Sequence, residues 1–251
     1  MNSPEYERMY RLEDSYWWFV GRHRLIESIL RKRYRDTPAN SAASRLILDI
    51  GCGTGAMSAR LKQWGQVVSA DFSPLALQFS RRRGLQNLVC ADAMRLPFAS
   101  NAFDALVAMD MLEHLPDDVL ALREFHRVLK PGGVVLATVP AYPHLWSEHD
   151  IALMHHRRYL RHELQTRFSQ AGFSLEKASH TMTALYPLVS LQRRLNAKRP
   201  HNNPPQAAMP HVMAPVNFAL TQLLTVENAL AQRVDFPFGV TILCIAKKPT
   251  L

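Results

Sequence analysis

Cysteine and glycine are both scarce in this chain. The three cysteines among 251 residues, Cys52, Cys90 and Cys244, are odd in number and far apart. That pattern excludes a disulfide framework and suits a reducing compartment. No apolar run reaches the roughly 18 residues that a membrane-spanning helix needs. The opening residues, Met1 to Glu7, lack the basic-then-apolar order of an export signal. A cytoplasmic protein is therefore expected. Acid is in deficit as well: 21 Asp and Glu stand against 30 Lys and Arg, leaving a net charge of +9. The excess falls in short clusters, Arg31-Lys32-Arg33, Arg81-Arg82-Arg83, Arg157-Arg158 and Arg193-Arg194. Such clusters are solvated surface, or they favour an anionic small molecule, an acidic membrane surface or nucleic acid.

The hydrophobic content of 47% and charged content of 20% are those of a folded globular chain. The length suits one α/β domain with one sizeable core. Of only ten glycines, three stand at alternate positions in Asp49-Ile50-Gly51-Cys52-Gly53-Thr54-Gly55. The run Leu46-Ile47-Leu48 ahead of them reads as a buried strand, and Ala56 to Trp64 after them has helical spacing. Glycine lets the chain turn sharply there and lets a ligand approach the main chain. The end of the first strand is where open α/β sheets bind nucleotide-like ligands.

Two ligands compete for this turn. Gly51-x-Gly53-x-x-Ala56, with Asp71 about twenty residues on, satisfies the dinucleotide fingerprint, which would make the protein an NAD-dependent dehydrogenase. A diphosphate on a helix N-terminus favours no acid nearby, however. Asp49 beside the turn favours a cationic ligand.

Alternation of strand and helix continues downstream. Val67 to Asp71 is a second strand ending in an acid, after which Ser73 caps a helix opened by Pro74. Asn87 to Ala91 is a third strand, followed by Asp92-Ala93, and Phe103 to Met109 a fourth. Asp110-Met111-Leu112-Glu113-His114-Leu115 comes next, then a helix over Asp117 to Val128. Leu129-Lys130-Pro131-Gly132-Gly133 turns into a fifth strand, Val134 to Val139. Arg161 to Ala171 reads as a helix, Ser174 to Thr181 as a sixth strand and Phe238 to Ala246 as a seventh.

Asp49-x-Gly-Cys-Gly-Thr-Gly, the acid at Asp71, Asp92-Ala93 and Leu-Lys-Pro-Gly-Gly, in this order, resemble class I S-adenosylmethionine (SAM) methyltransferases over residues 45 to 140. The resemblance implies a Rossmann-like doubly wound sheet of order 3-2-1-4-5-7-6 with strand 7 antiparallel. It implies SAM as cofactor and S-adenosylhomocysteine (SAH) as product. Asp71 would take the ribose hydroxyls, Phe72 would lie near the adenine, and Asp92 would bind the adenine amino group with Ala93 leaving space for the ring. Asp49, Gly51, Cys52, Gly53, Gly55, Ser73, Met109 and Asp110 complete the implied cofactor wall. The aromatic segment Tyr6 to Phe19 and the basic Gly21-Arg22-His23-Arg24 resemble the N-terminal lid of similar enzymes, with Trp17 and Arg22 at the site; the same aromatics also suit plain packing onto the sheet.

The expected layout is a lid and linker over 1–44 and a SAM-binding domain over 45–251. In the resembling family the seventh strand usually follows a short hairpin. Here a helical insertion at about 183–237 intervenes, and three uses for it stay open: an extra cap, a lid or homodimer surface, or a peripheral membrane patch. Its second helix is expected to bury Val216, Leu220, Leu223, Leu224, Leu230 and Val234, interrupted by Glu227. Pro200 to Pro215 is expected as a loop.

Methyl transfer is an in-line displacement in which positioning supplies much of the acceleration, and a base matters when the acceptor must lose a proton. His114 is the first candidate base, with a helix-start histidine as the other reading. His149 and His156 are further candidates, within a second cluster running from Tyr142 to Tyr159. Trp146 and Tyr159 are expected to stack on an acceptor and Arg157 or Arg158 to hold an anion, unless the segment is only a polar loop anchored by Trp146. Asp110-x-x-Glu113-His114 resembles the Glu-x-x-Glu-His pattern of ubiquinone-type O-methyltransferases, which can hold a divalent metal; the shorter Asp110 speaks against it. The histidines at 144, 149, 155 and 156 fit no common zinc spacing, so no metal is expected. The reading is methyl transfer from SAM to a small-molecule or lipid-linked acceptor, on oxygen. A SAM-binding protein without turnover is the other alternative. No nucleic acid is expected as partner, because no base-holding motif follows the fourth strand.

Overall fold

Strand β1, Leu46–Ile50, lies at the middle of a seven-stranded sheet of order β3-β2-β1-β4-β5-β7-β6. The computed structural model describes residues 3–37, 41–196 and 209–250. The other strands are β2 Gln66–Asp71, β3 Leu88–Cys90, β4 Phe103–Met109, β5 Leu129–Pro140, β6 Ser174–Thr181 and β7 Thr241–Lys247. The first five run parallel, and β7 is antiparallel to both β5 and β6. This is the expected topology.

Alternating side chains of the central strands feed two apolar layers, as the two-residue period of a strand requires. Ile47, Val67, Ala105, Val107 and Leu136 pack with Leu25, Ile26, Ile29 and Leu30. Those four come from helix α2, Trp17–Arg33, which follows α1, Ser3–Leu12. Leu48, Ile50, Leu106, Ala108 and Val135 pack on the other face with Leu122, Phe125 and Phe168.

Four further helices precede the second cluster. They are α3 Ser41–Ser44, α4 Ala56–Leu61, α5 Pro74–Arg82 and α6 Asp118–Val128. The expected N-cap holds: Ser73 Oγ accepts from the Ala76 amide at 3.4 Å. The helix expected from Asp117 starts one residue later, with Asp117 as its cap, Oδ1 accepting from the Leu120 amide at 2.9 Å. The linker expected at 36–44 ends in α3, and residues 38–40 lie outside the described residues. Strand β5 begins earlier than expected, because Leu129 pairs with Phe103 before a register shift.

Then come α7 Glu148–Ala152, α8 Arg161–Gln170, α9 Tyr186–Asn196 and α10 Ala214–Ala231. The loop expected over Pro200 to Pro215 lies partly outside the described residues, and α10 begins within it. Helix α10 buries Leu224 as expected, but together with Thr221, Glu227, Asn228 and Ala231 in place of the rest of the apolar stripe. Val216, Leu223 and Leu230 of the expected apolar face are exposed, as is Val234 beyond the helix. Close helix contact is the reason. Leu224 lies where a Cβ on Gly21 would sit, 2.4 Å away, and Asn228 Nδ2 donates to the Gly21 carbonyl at 2.8 Å. Glu227 is no interruption either, since its carboxylate accepts from the Thr183 and Ala184 amides at 2.9 and 3.1 Å.

Candidate active site

The carboxyl ends of β1, β2 and β4 open into a cavity of about 1650 Å³. Pockets for one drug-sized molecule run to about 300–1,000 Å³, so this space accommodates more than one such ligand. One part of its wall is the glycine turn. Gly51 and Gly53 hold φ of +71° and +55°, and a Cβ on Gly51 would come within 2.4 Å of the Met111 side chain. Only glycine meets both conditions without strain. Cys52 lines the cavity beside them. Gly55 is not among the lining residues; it is the left-handed N-cap of α4, packed on Leu85 and Ser80, so its role is structural.

Asp71 accepts from the Gly53 and Ser73 amides, each at 2.9 Å. Two fixed amides orient the carboxylate and leave further lone pairs for a ligand. Burial raises its pKa against the pull of those amides. Phe72 stands exposed at the cavity wall, and Asp92, Ala93 and Ser73 line it too. Asp92 is held through Oδ1 by the Met94 amide at 2.9 Å. Asp49 is buried and engaged by the Ser58 hydroxyl, and burial pushes its carboxyl up to about 7. It supports the turn more than it faces the cavity.

These features fit SAM: glycine amides without side chains over them, and two oriented carboxylates spaced along neighbouring strands. The N-terminal helices cover the turn. Met9 of α1 reaches Gly53, and Thr54 donates to Glu13, which Arg83 also holds at 2.8 Å. Trp17, Trp18, Phe19 and Arg22 all line the cavity, and the Trp17 indole N–H is buried without a partner. Arg22 lies 4.2 Å from the Trp18 ring, pairs with Asp110 and donates to Thr138 Oγ1 at 3.0 Å. Burial lowers it to about 10. Met109 and Asp110 complete this wall.

The second cluster divides. Trp146, His149 and Arg158 line the cavity together with His114. Burial holds His114 and His149 at about 3, with His155 lowering the first further and Arg193 the second. Both rings are neutral at pH 7. Tyr159 is a correction: it is 1% exposed and its hydroxyl donates to Asp118 at 2.7 Å, so it packs in the core and stacks on no acceptor. Arg157 is another. It does not line the cavity, and its guanidinium donates to Asp118 at 3.3 Å and the Pro116 carbonyl at 2.8 Å. Arg158, its neighbour, is bound to Asp150 at 2.7 Å. His156 is exposed and off the cavity wall, which removes it as a base.

Sequence reasoning set His155 aside with the other histidines and left Arg193 in a basic cluster, giving neither a place in the site. Their signal lies in Asp150, which is buried in α7 and gathers His155, Arg158 and Arg193 at 2.9, 2.7 and 3.3 Å. Leu185, just ahead of α9, joins the lining with Leu188 and Val189 of α9, and α10 adds Leu220. The insertion thus supplies an apolar wall.

Residues 48–137 match the family model of the methyltransferase domain. A demethylmenaquinone methyltransferase of Staphylococcus epidermidis is 42% identical over a stretch covering 40% of this chain and 47% of that protein, so the chain matches about half of the relative's length. The [4+2]-cyclase SpnF covers 90% of this chain and 81% of its own at 22% identity, with a TM-score of 0.57. A SAM-dependent methyltransferase from Archaeoglobus fulgidus covers 88% and 94% at 18% identity, with a TM-score of 0.53.

Proposed function

Because residues 48–137 match the methyltransferase-domain model and the sheet has the order β3-β2-β1-β4-β5-β7-β6, we propose that the chain is a class I SAM-dependent methyltransferase that transfers a methyl group from SAM to an oxygen of a small-molecule or lipid-linked acceptor. The observation that carries this reading is the single large cavity running from the glycine turn to the apolar wall of α9 and α10. Bound SAM supplies an electrophilic methyl group on a sulfonium. Asp71 would bind the ribose hydroxyls and Asp92 the adenine amino group, while the lid helices exclude water. Trp146, Leu185, Leu188 and Val189 suit an acceptor with a hydrocarbon body.

The new bond joins the acceptor oxygen to the methyl carbon as the carbon–sulfur bond breaks, its electron pair staying on sulfur and the acceptor proton leaving. His114 and His149 are neutral but weak bases at a pKa of about 3. His149 serves as a hydrogen-bond acceptor that aims the hydroxyl, and orientation of this kind supplies a large share of such barriers. The relative named demethylmenaquinone methyltransferase supports an apolar acceptor class. Exposed apolar residues on α9 and α10 support peripheral membrane contact; a homodimer is the competing use of that surface.

Calorimetric titration with SAH and with NAD tests the cofactor, and NAD binding in place of SAH would sink the reading. Incubation with methyl-labelled SAM and separate lipid and aqueous extracts tests the acceptor. Label is expected in a lipid-extractable product; no labelled product from either extract would leave a SAM-binding protein without turnover.

A further inference from the structure

Glu113 is completely buried, yet neither of its carboxylate oxygens has a hydrogen-bond partner. A carboxylate taken out of water this way is costly unless a cation completes it. Two full cations lie near, but neither donates to Glu113: Arg22 uses one terminal nitrogen for Asp110 and Thr138 and leaves its Nε unpartnered, and Arg158 is held by Asp150 and the Ala141 carbonyl. Two imidazoles face the carboxylate instead. One donor atom each from Glu113, His114 and His155 lies within 4.8 Å of the others, and His155 Nε2 stands 4.0 Å from Glu113 Oε1.

Each ring is anchored from behind. His155 Nδ1 is 2.9 Å from Asp150 Oδ1, the carboxylate–histidine pairing that fixes a ring so its other nitrogen can ligate. His114 donates one ring N–H to the Met154 carbonyl, so its second nitrogen carries a lone pair.

We propose that Glu113, His114 and His155 form a binding site for a divalent transition-metal ion of the zinc type, with three protein ligands and one position open to the cavity. Two imidazoles and one carboxylate are a known donor set for a three-ligand zinc centre that keeps a fourth position for water or substrate. Tetrahedral bonds of about 2.0–2.2 Å put donors about 3.4 Å apart, so the three must draw together by up to about 1.4 Å, shared among three side chains. Asp110 is not part of the set, since Arg22 already holds it.

Glu113, His114 and His155 all line the cavity that also holds Asp71 and Asp92. On the methyl-transfer reading, an acceptor oxygen at the open position would be acidified there, which the weakly basic histidines do not achieve. The metal site itself does not depend on that reading.

The test uses the full chain without an affinity tag, stripped with chelator and titrated with Co²⁺, followed by visible absorption and by competition with Zn²⁺. One saturable equivalent, displaced by Zn²⁺, is expected. Glu113→Gln, His114→Ala and His155→Ala should each weaken it at least about tenfold, with His156→Ala, a neighbour off the cavity, unchanged. Melting temperature and SAH affinity, measured for every variant, separate loss of the site from loss of the fold. The proposal is overturned if no saturable equivalent appears, or if a well-folded His155→Ala takes up cobalt as the parent does. SAH binding without cobalt uptake removes the metal site and leaves methyl transfer standing. Cobalt uptake without SAH binding supports the metal site and removes the cofactor assignment.

Discussion

Asp71 illustrates how a single side chain is prepared for a ligand. Backbone amides of Gly53 and Ser73 pin it, and desolvation leaves it seeking further donors. Two ribose hydroxyls would meet that need, so Asp71→Ala should weaken SAH binding by about 1–3 kcal/mol. Calorimetry reads this directly, and a loss below about 0.5 kcal/mol would detach Asp71 from the cofactor. His23 offers a different residue-scale experiment. Burial and the nearby Arg60, Arg22 and Arg83 lower it to about 3, and its Nδ1 has no partner. Because the folded value lies below that of a free imidazole, near 6.5, the unfolded chain takes the proton first as pH falls. The stability tied to the neutral ring is complete above about pH 6.5 and lost progressively towards pH 3, at up to about 1.4 kcal/mol per pH unit. Urea melts of His23→Gln should show an acid-side slope shallower by about one proton; an unchanged slope would mean that His23 titrates normally. At this scale the sequence was legible only for residues carried by local motifs. Gly51, Asp71 and Asp92 sit at strand ends that the pattern already marks. His155 stands 4.0 Å from Glu113 across 42 positions, a partnership that no spacing rule expresses. Tyr159 failed for the opposite reason, because an aromatic next to two arginines looks like a binding group until Asp118 takes its hydroxyl.

At the scale of elements, strands and their order were readable because each sheet face needs alternating apolar residues and each turn needs its glycine or cap. Strand β4 over Phe103–Met109 and β6 over Ser174–Thr181 match their expected spans residue for residue. Helix α10 resisted the same reasoning. Its apolar stripe predicted burial of Leu223 and Leu230, whereas the helix turns that stripe outward and docks through a small and polar face. A hydrophobic stripe identifies what must avoid water only if some surface is offered to it. Here α2 offers the bare backbone at Gly21, and closeness of approach selects Leu224 and Asn228 instead. Leu224 is 1% exposed, so Leu224→Ala should cost about 2–5 kcal/mol through the cavity it leaves. Because α2 carries Trp17 and Arg22, hydrogen exchange should quicken in residues 17–33 as well as 214–231. Faster exchange confined to α10 would show that the insertion is not coupled to the lid.

On the scale of the whole molecule, the charge excess and the outward apolar stripes form one pattern. Val216, Leu223, Val226 and Leu230 stand exposed on α10, as do Leu188, Leu191 and Leu195 on α9. Their spacings of three, four and seven residues place them along single helix faces. Contiguous apolar surface of this kind on a folded chain marks an interaction site. No helix among the described residues is long and apolar enough to cross a membrane, so burial at an interface would be shallow, with the exposed Arg194 at the end of α9 available to anionic headgroups. Leu188 lines the cavity as well as standing exposed, which joins the outward apolar stripe to the cavity wall; on the proposed reading a lipid-linked acceptor would have a short way in. The chain, with its net charge of +9, is therefore expected to co-sediment with vesicles containing anionic lipid, weakly with zwitterionic ones, and less as salt rises. Leu191→Asp combined with Leu223→Asp should abolish sedimentation while leaving SAH affinity and melting temperature near those of the parent, since both side chains face solvent. If the double variant instead converts a dimer to a monomer in light scattering and vesicle binding is absent throughout, the stripes belong to a second copy of the chain and the acceptor reaches the cavity from solution.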